Sequence, residues 1–542
     1  MSSALSRRSA LKLGGLTAVG AAALTTPFGA GAQAKEVSTL SRENFPARYA
    51  VRIGKPQATA PDMKDGVARY DFTAALNTQA QVLTNPNLKT PVYGYNGTFP
   101  GPLIELERGT RAVVRIRNKM PPTGPFGSKS LLSTHLHGSA SLPEYDGYAN
   151  DVTPVNYYKD YLYPNYQPAR TLWYHDHGVH FTAQQAYGGL AALYVLHDPI
   201  EREHLPQGEF DIPLMINDAM FNADGSLGYD DNSHSGLWGD VILVNGRPWP
   251  TMTVKRRTYR FRLLNCSISR SYKWRLSNGM PLQVVATDGG MMPRGVAVSS
   301  MRHAGAERYE VVIDFSKVKA GTRIELLNDS NPNNRDYDHT NKIMAFDVVG
   351  DAVDTNDKTW NRDYNGYALS SHYKDPVKDI MTVPTSGNYR RRSFRVERGN
   401  GIWQINGKSW KDVENTDFRE VLADPGAGTT EIWDIQNNSG GWFHPLHIHL
   451  IDFRIIGRKG GVNRVLPHEE GPKDVVYVGE GETVSLLIRW DVNPETTGGH
   501  YMFHCHNLPH EDHDMMHQFR VGNVDIDKDP HHPVKAAPPK PL

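Results

Sequence analysis

Histidines separated by a single residue are the strongest chemical signal in the sequence. On a β-strand, residues i and i+2 face the same side, so each His-x-His pair directs two imidazoles towards one place. Four such pairs would supply eight imidazoles, enough for three metal ions with open coordination positions for a small ligand. One pair alone is more often structural, and the joint occurrence of four favours metal binding. The clusters are His135-Leu136-His137, His175-Asp176-His177, His444-Pro445-Leu446-His447-Ile448-His449, and His504-Cys505-His506 followed by His510.

A cysteine lies between two of these histidines, and on a strand it must face away from both of them. With His444 and His510, the thiolate of Cys505 would form a His2Cys set, to which Met515 could add a weak axial thioether. This is the ligand set of blue copper. Zinc is the alternative metal, but zinc has no use for the methionine. The backbone at Cys505 would join the blue copper to the three-ion pocket through a few bonds, so that electrons could pass between them.

The elements that must position these residues are strands. Apolar residues alternate with period two, as in Arg111–Arg117 and Thr483–Arg489, and strongly periodic helices are few. Three Asn-Gly turns, at Asn96, Asn245 and Asn406, each follow an aromatic or β-branched run and are spaced by about 150 to 160 residues. This regular spacing predicts an all-β protein of three β-sandwiches in series. The histidine clusters fall in the first and third sandwiches.

Changes in composition suggest the domain boundaries. We expect the first sandwich at residues 35–205, the second at 206–350 and the third at 390–542. Residues 351–389 are rich in Asp, Asn, Lys and Pro and are predicted to be a linker. The tail from Asp529, with several prolines after His532, is predicted to be disordered.

Residues 1–34 have the pattern of an export signal. Arg7 and Arg8 precede a mildly apolar segment, and Ala32-Gln33-Ala34 provides a cleavage site with small residues. Paired arginines are typical of a twin-arginine signal, which predicts a periplasmic or secreted protein. A membrane anchor is the alternative, but the apolar run is shorter than the ~20 residues that a span needs, and no later segment is apolar enough to cross a bilayer.

The composition excludes some kinds of partner. The 542 residues contain 59 basic and 59 acidic side chains without a basic stripe, so we expect no nucleic acid partner. We expect the protein to be a monomer whose partners are small molecules. The two cysteines leave no disulfide framework, because Cys505 is needed elsewhere, and Cys266 is most simply a buried thiol.

At these residues the chain resembles the multicopper oxidases, and within that family the bilirubin oxidase group. The resemblance runs from Tyr95 to about Phe519. It implies three cupredoxin-like Greek-key β-sandwich domains and four copper ions per chain, with every ligand position filled. The sequences that carry it are HLHGS at 135–139, WYHDH at 173–177, WGDVILVNGRPWP at 238–250, AERYEVV at 306–312 and HCHNLPHEDHDMM at 504–516.

The resemblance also implies which residues hold each ion. The type 1 copper would be held by His444, Cys505, His510 and Met515, the type 2 copper by His135 and His447, one type 3 copper by His137, His175 and His506, and the other by His177, His449 and His504.

Four further residues match family positions. Asp146 and Glu511 are acids that would deliver protons to dioxygen or orient imidazoles. The alternatives are an ordinary Asp-Gly turn for Asp146 and a surface ion pair for Glu511. Trp442 and Asn507 flank type 1 ligands and would tune the copper or receive electrons, against simpler structural roles. Three other histidines lie outside the ligand pattern and are interpreted as supporting or structural: His180, His513 and His517.

The activity that the resemblance implies is an oxidase. Single electrons would be taken from phenols, aromatic amines or bilirubin-like tetrapyrroles at the type 1 copper, and four of them would reduce dioxygen to water. One alternative is a cuprous or other metallo-oxidase in copper tolerance, against which the dispersed methionines count. The other is a non-catalytic copper-binding scaffold of the cell envelope, against which the complete ligand set counts.

Overall fold

The computed structural model describes residues 37–351 and 379–542. The predicted export signal and most of the predicted linker lie outside these ranges. Within them, no helix is both long and apolar enough to cross a membrane.

The described residues form three β-sandwiches, each made of two sheets around its own apolar core. The predicted alternation places these cores. In Ala112–Asn118, for example, every second side chain is buried. The all-β class and the three cupredoxin-like domains are confirmed.

The first sandwich contains the first two histidine clusters. Most neighbouring strands pair antiparallel, but two pairs are parallel, as expected where connections cross between sheets. In hydrogen-bonded order, one sheet contains β1 (Asp62–Lys64), β2 (Val67–Asn77), β5 (Ala112–Asn118), β7 (Tyr157–Tyr163) and β32 (Lys540–Pro541), with β3 (Val92–Tyr95) beside β2, and the other contains β4 (Ile104–Glu107), β9 (Ala191–His197), β8 (Arg170–Asp176) and β6 (Thr134–His137).

The second sandwich is the largest and contains none of the predicted copper ligands. In order, one sheet contains β13 (Arg247–Pro248), β12 (Val241–Val244), β10 (Asp211–Phe221), β15 (Thr258–Asn265), β20 (Arg308–Asp314), β17 (Leu282–Thr287) and β18 (Gly290–Val298), with β11 (Leu227–Gly228) beside β10, and the other contains β14 (Thr251–Lys255), β22 (Lys342–Val349), β21 (Arg323–Asn328), β16 (Tyr272–Leu276) and β19 (Met301–His303).

The third sandwich carries the remaining histidine clusters and Cys505. In order, one sheet contains β24 (Ile402–Ile405), β23 (Arg390–Gly399), β25 (Thr430–Asn437), β29 (Thr483–Arg489) and β27 (Phe453–Lys459), and the other contains β28 (Val475–Val478), β26 (His444–Ile448), β30 (Gly499–Cys505) and β31 (Met516–Val521).

Helices are short and connect strands. The α-helices of the described residues are α1 (Thr182–Gly188), α2 (Pro199–His204), α3 (Trp410–Asn415) and α4 (Leu508–Asp512), and the 3-10 segments are Pro125–Gly127, Pro143–Tyr145, Gly208–Phe210, Ile380–Thr382, Pro467–Glu469 and Ile526–Lys528.

The three Asn-Gly turns occupy equivalent places. Each asparagine directly follows a short strand, β3, β12 or β24, and has a left-handed φ of 48° to 55°, which asparagine tolerates better than most residues. Each side-chain carbonyl accepts a hydrogen bond from a backbone N–H of the neighbouring long strand, from Thr73 to Asn96 at 2.8 Å, from Met215 to Asn245 at 2.8 Å and from Arg395 to Asn406 at 2.7 Å. The sequence repeat therefore corresponds to a repeated local structure.

The C-terminal tail differs from the expectation of disorder. Its last residues form β32, which pairs antiparallel with β7 of the first sandwich. The buried ammonium of Lys159 donates to the carbonyl of Ala537 at 2.8 Å and also contacts Asp151. Proline composition alone predicted disorder, whereas the exposed edge of β7 and a buried cation fix the tail.

A buried network of charges links the first two sandwiches. Arg262 contacts Glu201, Asp211 and Glu310 at 2.7 to 2.8 Å, and Arg260 contacts Glu201 and Glu310 as well. All five side chains are buried. Glu201 lies on α2, just after the first sandwich, and the others lie on strands of the second. Each charge is therefore compensated by partners from a different element.

We predict that Arg262→Ala lowers the free energy of unfolding by about 3 to 5 kcal/mol, because it leaves buried carboxylates without their cation. The matched control is Arg117→Ala, which breaks a partly exposed ion pair with Asp71 and should cost less than ~1 kcal/mol. Urea unfolding followed by tryptophan fluorescence measures both. Equal losses in the two variants would contradict the role assigned to the network.

Candidate metal centre

The end of strand β30 reaches two separate groups of side chains. The Cys505 sulfur lies 3.3 Å from His444 Nδ1 and 3.7 Å from His510 Nδ1. His504 precedes the cysteine, and its Nε2 lies 3.1 Å from the Nε2 atoms of both His177 and His449. Neighbouring residues of one strand thus face a group of three ligands on one side and a group of imidazoles on the other.

The smaller group is a buried His2Cys set. The Nδ1 atoms of His444 and His510 lie 3.3 Å apart. The outer nitrogen of His444 is 2.8 Å from Ser439 Oγ, and that of His510 is 3.1 Å from the carbonyl oxygen of Ser235. These contacts hold the rings so that both Nδ1 atoms face the sulfur, as outer partners of metal ligands do.

The surroundings of Cys505 suit a thiolate bound to a metal. The backbone N–H of Asn507 points at the sulfur from 3.3 Å. Burial raises the pKa of the Cys505 thiol, so without a metal it remains protonated. Met515 is fully buried in the same apolar cluster, and its carbonyl accepts a hydrogen bond from the cysteine N–H at 3.0 Å.

The larger group contains eight buried imidazoles from the first and third sandwiches. Strands β6 and β8 bring His135 opposite His175, and strands β26 and β30 bring His447 opposite His504. The ring centroids of His137 and His447 are 3.7 Å apart. The sets in which ligand atoms converge include His135, His137 and His447, then His137, His175 and His506, and finally His177, His449 and His504. The last two sets are the two ligand triads that were predicted for the type 3 copper ions.

Unpaired nitrogens show that these imidazoles fit metal ions. A buried nitrogen without a hydrogen bond is unfavourable by about 1 to 3 kcal/mol, and a bound ion would remove that cost. Burial lowers the pKa of His175 to about 3 and that of His177 to about 4, so their rings are neutral and able to bind a metal at pH 7. The unpaired atoms are His135 Nε2, His137 Nδ1, His175 Nε2, His177 Nδ1, His447 Nε2 and His506 Nε2.

The predicted acids, Asp146 and Glu511, both lie against the larger group. Asp146 Oδ2 is 2.8 Å from His449 Nδ1, and its Oδ1 is 3.6 Å from His135 Nδ1. Glu511 Oε2 is 2.9 Å from His504 Nδ1. Burial raises the pKa of Asp146 well above its usual value. Burial acts in the same direction on Glu511, but the nearby imidazoles, His504 first, hold its pKa at about 2. Neither acid forms a surface ion pair.

Besides Ser235 and Ser439, sequence reasoning missed Asp474 and Trp403, which also touch the ligands. Asp474 Oδ1 lies 3.1 Å from His137 Nε2, and its carboxylate is held by Arg308 at 2.7 Å. Trp403 is fully buried and stacks on His510 with ring centroids 3.8 Å apart. Asp474 directly precedes an apolar strand and Trp403 precedes an Asn-Gly turn, but no local spacing connects either residue with a histidine cluster.

The remaining predicted residues lie outside the ligand groups. Trp442 is half-buried, and its ring meets His510 edge to face at 5.7 Å. Cys266, which was predicted to be a buried thiol, is partly exposed and donates its S–H to the carbonyl of Ile216 at 3.3 Å. His180 contacts the carbonyl of Asp512 at 3.1 Å.

Comparisons with known proteins agree with this geometry. Three family models, each described as multicopper oxidase, match residues 77–200, 193–323 and 373–525. The chain is 41% identical to the bilirubin oxidase of Albifimbria verrucaria over 79% of this chain and 72% of that protein. It is 33% identical to the laccase of Bacillus subtilis strain 168, over 79% and 89% of the two chains. The McoA multicopper oxidase of Aquifex aeolicus superimposes with a TM-score of 0.75 at 26% identity, over 88% of this chain and 100% of that one.

The histidine groups match the type 1 and trinuclear copper sites typical of multicopper oxidases.

We predict that Cys505→Ser abolishes the intense blue absorption and lowers the copper content by about one ion per chain, because a hydroxyl does not replace a thiolate as ligand. Cys266→Ser, at the other cysteine, should change neither quantity. Visible spectra and metal analysis of both variants decide the matter, and a blue Cys505→Ser protein would contradict the assignment.

Proposed function

The chain belongs to the multicopper oxidase family, and from this premise we propose that it oxidises phenols, aromatic amines or bilirubin-like tetrapyrroles and reduces dioxygen to water. The observation that carries this proposal is the position of Cys505. Its sulfur belongs to one ligand group, while the residues on either side of it, His504 and His506, belong to the other. A few covalent bonds therefore connect the two groups.

Copper, when bound, supplies a one-electron acceptor at the His2Cys group and the four-electron chemistry of dioxygen at the imidazole group. The chain's own residues set the geometry. Asn507 directs an N–H at the sulfur, and Ser235 and Ser439 fix the two outer imidazole nitrogens. Because these contacts are made before an electron arrives, little rearrangement is needed on transfer.

The reductant would approach through Trp442. The indole is half-exposed and meets His510 at 5.7 Å, so an aromatic molecule packed on it lies near a type 1 ligand. Only electrons need to pass from the reductant to the type 1 group, so a shallow surface is sufficient to bind the reductant. The relatives named bilirubin oxidase and laccase support an organic donor of this kind.

Protons for the reduction of dioxygen would come by way of the two buried acids. Asp146 contacts His449, and Glu511 contacts His504, so each carboxylate touches a different ring of the same ligand triad. We assign to Asp146, whose pKa is raised, the holding of a proton, and to Glu511, which stays ionised, the transient acceptance and passing of protons, together with the orientation of the two rings.

We also propose that the protein acts as a monomer in the periplasm or outside the cell, after export by a twin-arginine route. The paired Arg7 and Arg8 support this route. The larger ligand group contains residues of both the first and the third sandwich, so a folded chain is required before all its copper is held. This requirement suits a route that carries folded proteins.

Arg7→Lys with Arg8→Lys should retain the protein in the cytoplasm of its bacterial host, as fractionation would show.

Oxygen consumption by the copper-loaded protein tests the proposed reductant. We expect rapid uptake with a dye-like phenol or with bilirubin, and slower uptake with Cu(I) as the competing reductant. Uptake with Cu(I) alone would favour a metallo-oxidase instead. The absence of uptake with any of these donors, in a protein that is blue and fully loaded, would identify a copper-binding scaffold.

Asp146→Asn tests the role of the acid. The amide keeps an oxygen acceptor but removes the ionisable group, so the blue absorption should persist while dioxygen turnover falls by roughly 10 to 100-fold. Asp146→Ala, which removes the contact with His449 as well, should also lower the occupancy of the trinuclear group. Asp160→Asn, at a partly exposed carboxylate paired with Arg115, is the control and should match the parent protein.

A normal rate of oxygen reaction in the reduced Asp146→Asn protein would contradict this role. The same conclusion would follow if the variant lost its blue band and retained that normal rate.

A further inference from the structure

A loop of the second sandwich covers the type 1 group. The loop runs from Asp231 to Gly236. The carbonyl of Ser235 lies 3.1 Å from His510 Nε2, and the carbonyl of His234 accepts a hydrogen bond from the Trp403 indole N–H at 2.8 Å. Two successive carbonyls of the loop therefore contact a type 1 ligand and the indole stacked on it.

The backbone of this loop has an unusual conformation. Asn232, Ser233 and His234 have φ values of 51°, 54° and 67°, so three consecutive residues that are not glycine are left-handed. Each such residue is unfavourable by ~1 kcal/mol or more, and this conformation persists only where the surroundings hold it. Asn232 Nδ2 donates to the Gly236 carbonyl at 2.8 Å, and Arg335 donates to Asn232 Oδ1 at 2.7 Å. Strained backbone of this kind is concentrated at functional sites.

The strained loop directs His234 at a second histidine and a carboxylate. The imidazoles of His234 and His513 overlap, with ring centroids 3.1 Å apart and ring planes inclined by 31°. Imidazoles that share one ligand triad of the trinuclear group lie further apart, as His177 and His504 do at 4.8 Å, so the two rings must turn apart for both to bind one ion. Asp231 Oδ2 lies 3.1 Å from His234 Nδ1 and 3.7 Å from His513 Nε2. One carboxylate oxygen therefore meets a nitrogen of each ring.

The separations between the carboxylate oxygen and the two ring nitrogens are close to those of ligands around one ion. Ligands bound to zinc at about 2.1 Å in a tetrahedron are about 3.4 Å apart, and the two measured separations lie on either side of that value. Two imidazoles and a carboxylate form a set suited to zinc or divalent copper rather than to calcium or magnesium. The side chain of His234 is 45% exposed, that of His513 is 38% exposed and that of Asp231 is 21% exposed. An ion and its remaining water ligands therefore have access from solvent.

We propose that His234, His513 and Asp231 form a surface site for a divalent transition-metal ion beside the type 1 centre, separate from the four copper ions of the oxidase. Both imidazoles are connected to that centre. His234 is followed by Ser235, whose carbonyl lies against His510, and His513 lies three residues beyond His510 at the end of α4. A bound cation adds positive charge close to the electron acceptor, and we expect it to raise the potential of the type 1 copper.

Calorimetric titration of the fully copper-loaded protein with Zn²⁺ tests the site without adding a redox-active ion. We expect one zinc ion per chain to bind with the blue absorption unchanged in intensity. His234→Asn with His513→Asn should lose this binding, and Asp231→Asn should weaken it by at least tenfold. The control is His531→Asn, which removes a histidine that pairs with Glu144 at 2.9 Å on the tail and should leave zinc binding intact.

Each other outcome overturns the proposal. Absence of zinc binding by the parent protein does so, as does unchanged binding by the double variant. Loss of binding in His531→Asn would move the site to the tail. Because His234→Asn also changes a residue of the strained loop, His513→Asn alone is measured beside it, with the blue absorption and the unfolding temperature as checks of folding. Zinc should raise the type 1 potential in the parent protein and leave it unchanged in His513→Asn.

Discussion

The two-residue period of a β-strand is the constraint on which this molecule depends. Strand β30 ends in His504 and Cys505, and pleating sends the imidazole and the sulfur to opposite faces. The side chain on each face then needs imidazole partners from other segments of the chain. The sulfur meets two Nδ1 atoms at 3.3 and 3.7 Å, and the His504 ring meets two imidazoles at 3.1 Å. No rotation of a single side chain could serve both groups, so the register of β26 against β30 sets the geometry of the two centres together.

The sandwich without predicted copper ligands has a role in this arrangement. The second sandwich supplies Arg308, which holds the carboxylate of Asp474 against His137. It also supplies the Ser235 carbonyl that lies against His510. Its contribution is therefore to fix the outer nitrogens of ligands carried by its neighbours, which determines which ring nitrogen faces the metal. The same loop carries Asp231 and His234 of the proposed surface metal site, so support of the type 1 centre and binding of an external ion would use one segment.

Much of this architecture follows from local patterns, and the rest does not. Alternating strands, the three Asn-Gly turns and the His-x-His pairs are set by periods of two residues or by the left-handed tolerance of asparagine, so the sequence predicts them. Asp474 and Trp403 become neighbours of ligands only through strand pairing and packing between distant segments, and neither has a spacing that shows it. The tail was predicted to be disordered from its prolines, but the free edge of β7 and the buried Lys159 bind it. The composition of a segment does not show which surface of the folded protein that segment will bind.

Anomalous diffraction at the copper absorption edge, from crystals of the copper-loaded protein, would locate each bound copper ion relative to Cys505 and the eight imidazoles. We predict four strong peaks per chain, one bonded to the Cys505 sulfur and three enclosed by the eight imidazoles of the first and third sandwiches. A cysteine sulfur without a metal neighbour, or imidazole pairs that hold separate ions too far apart to share one dioxygen molecule, would contradict it.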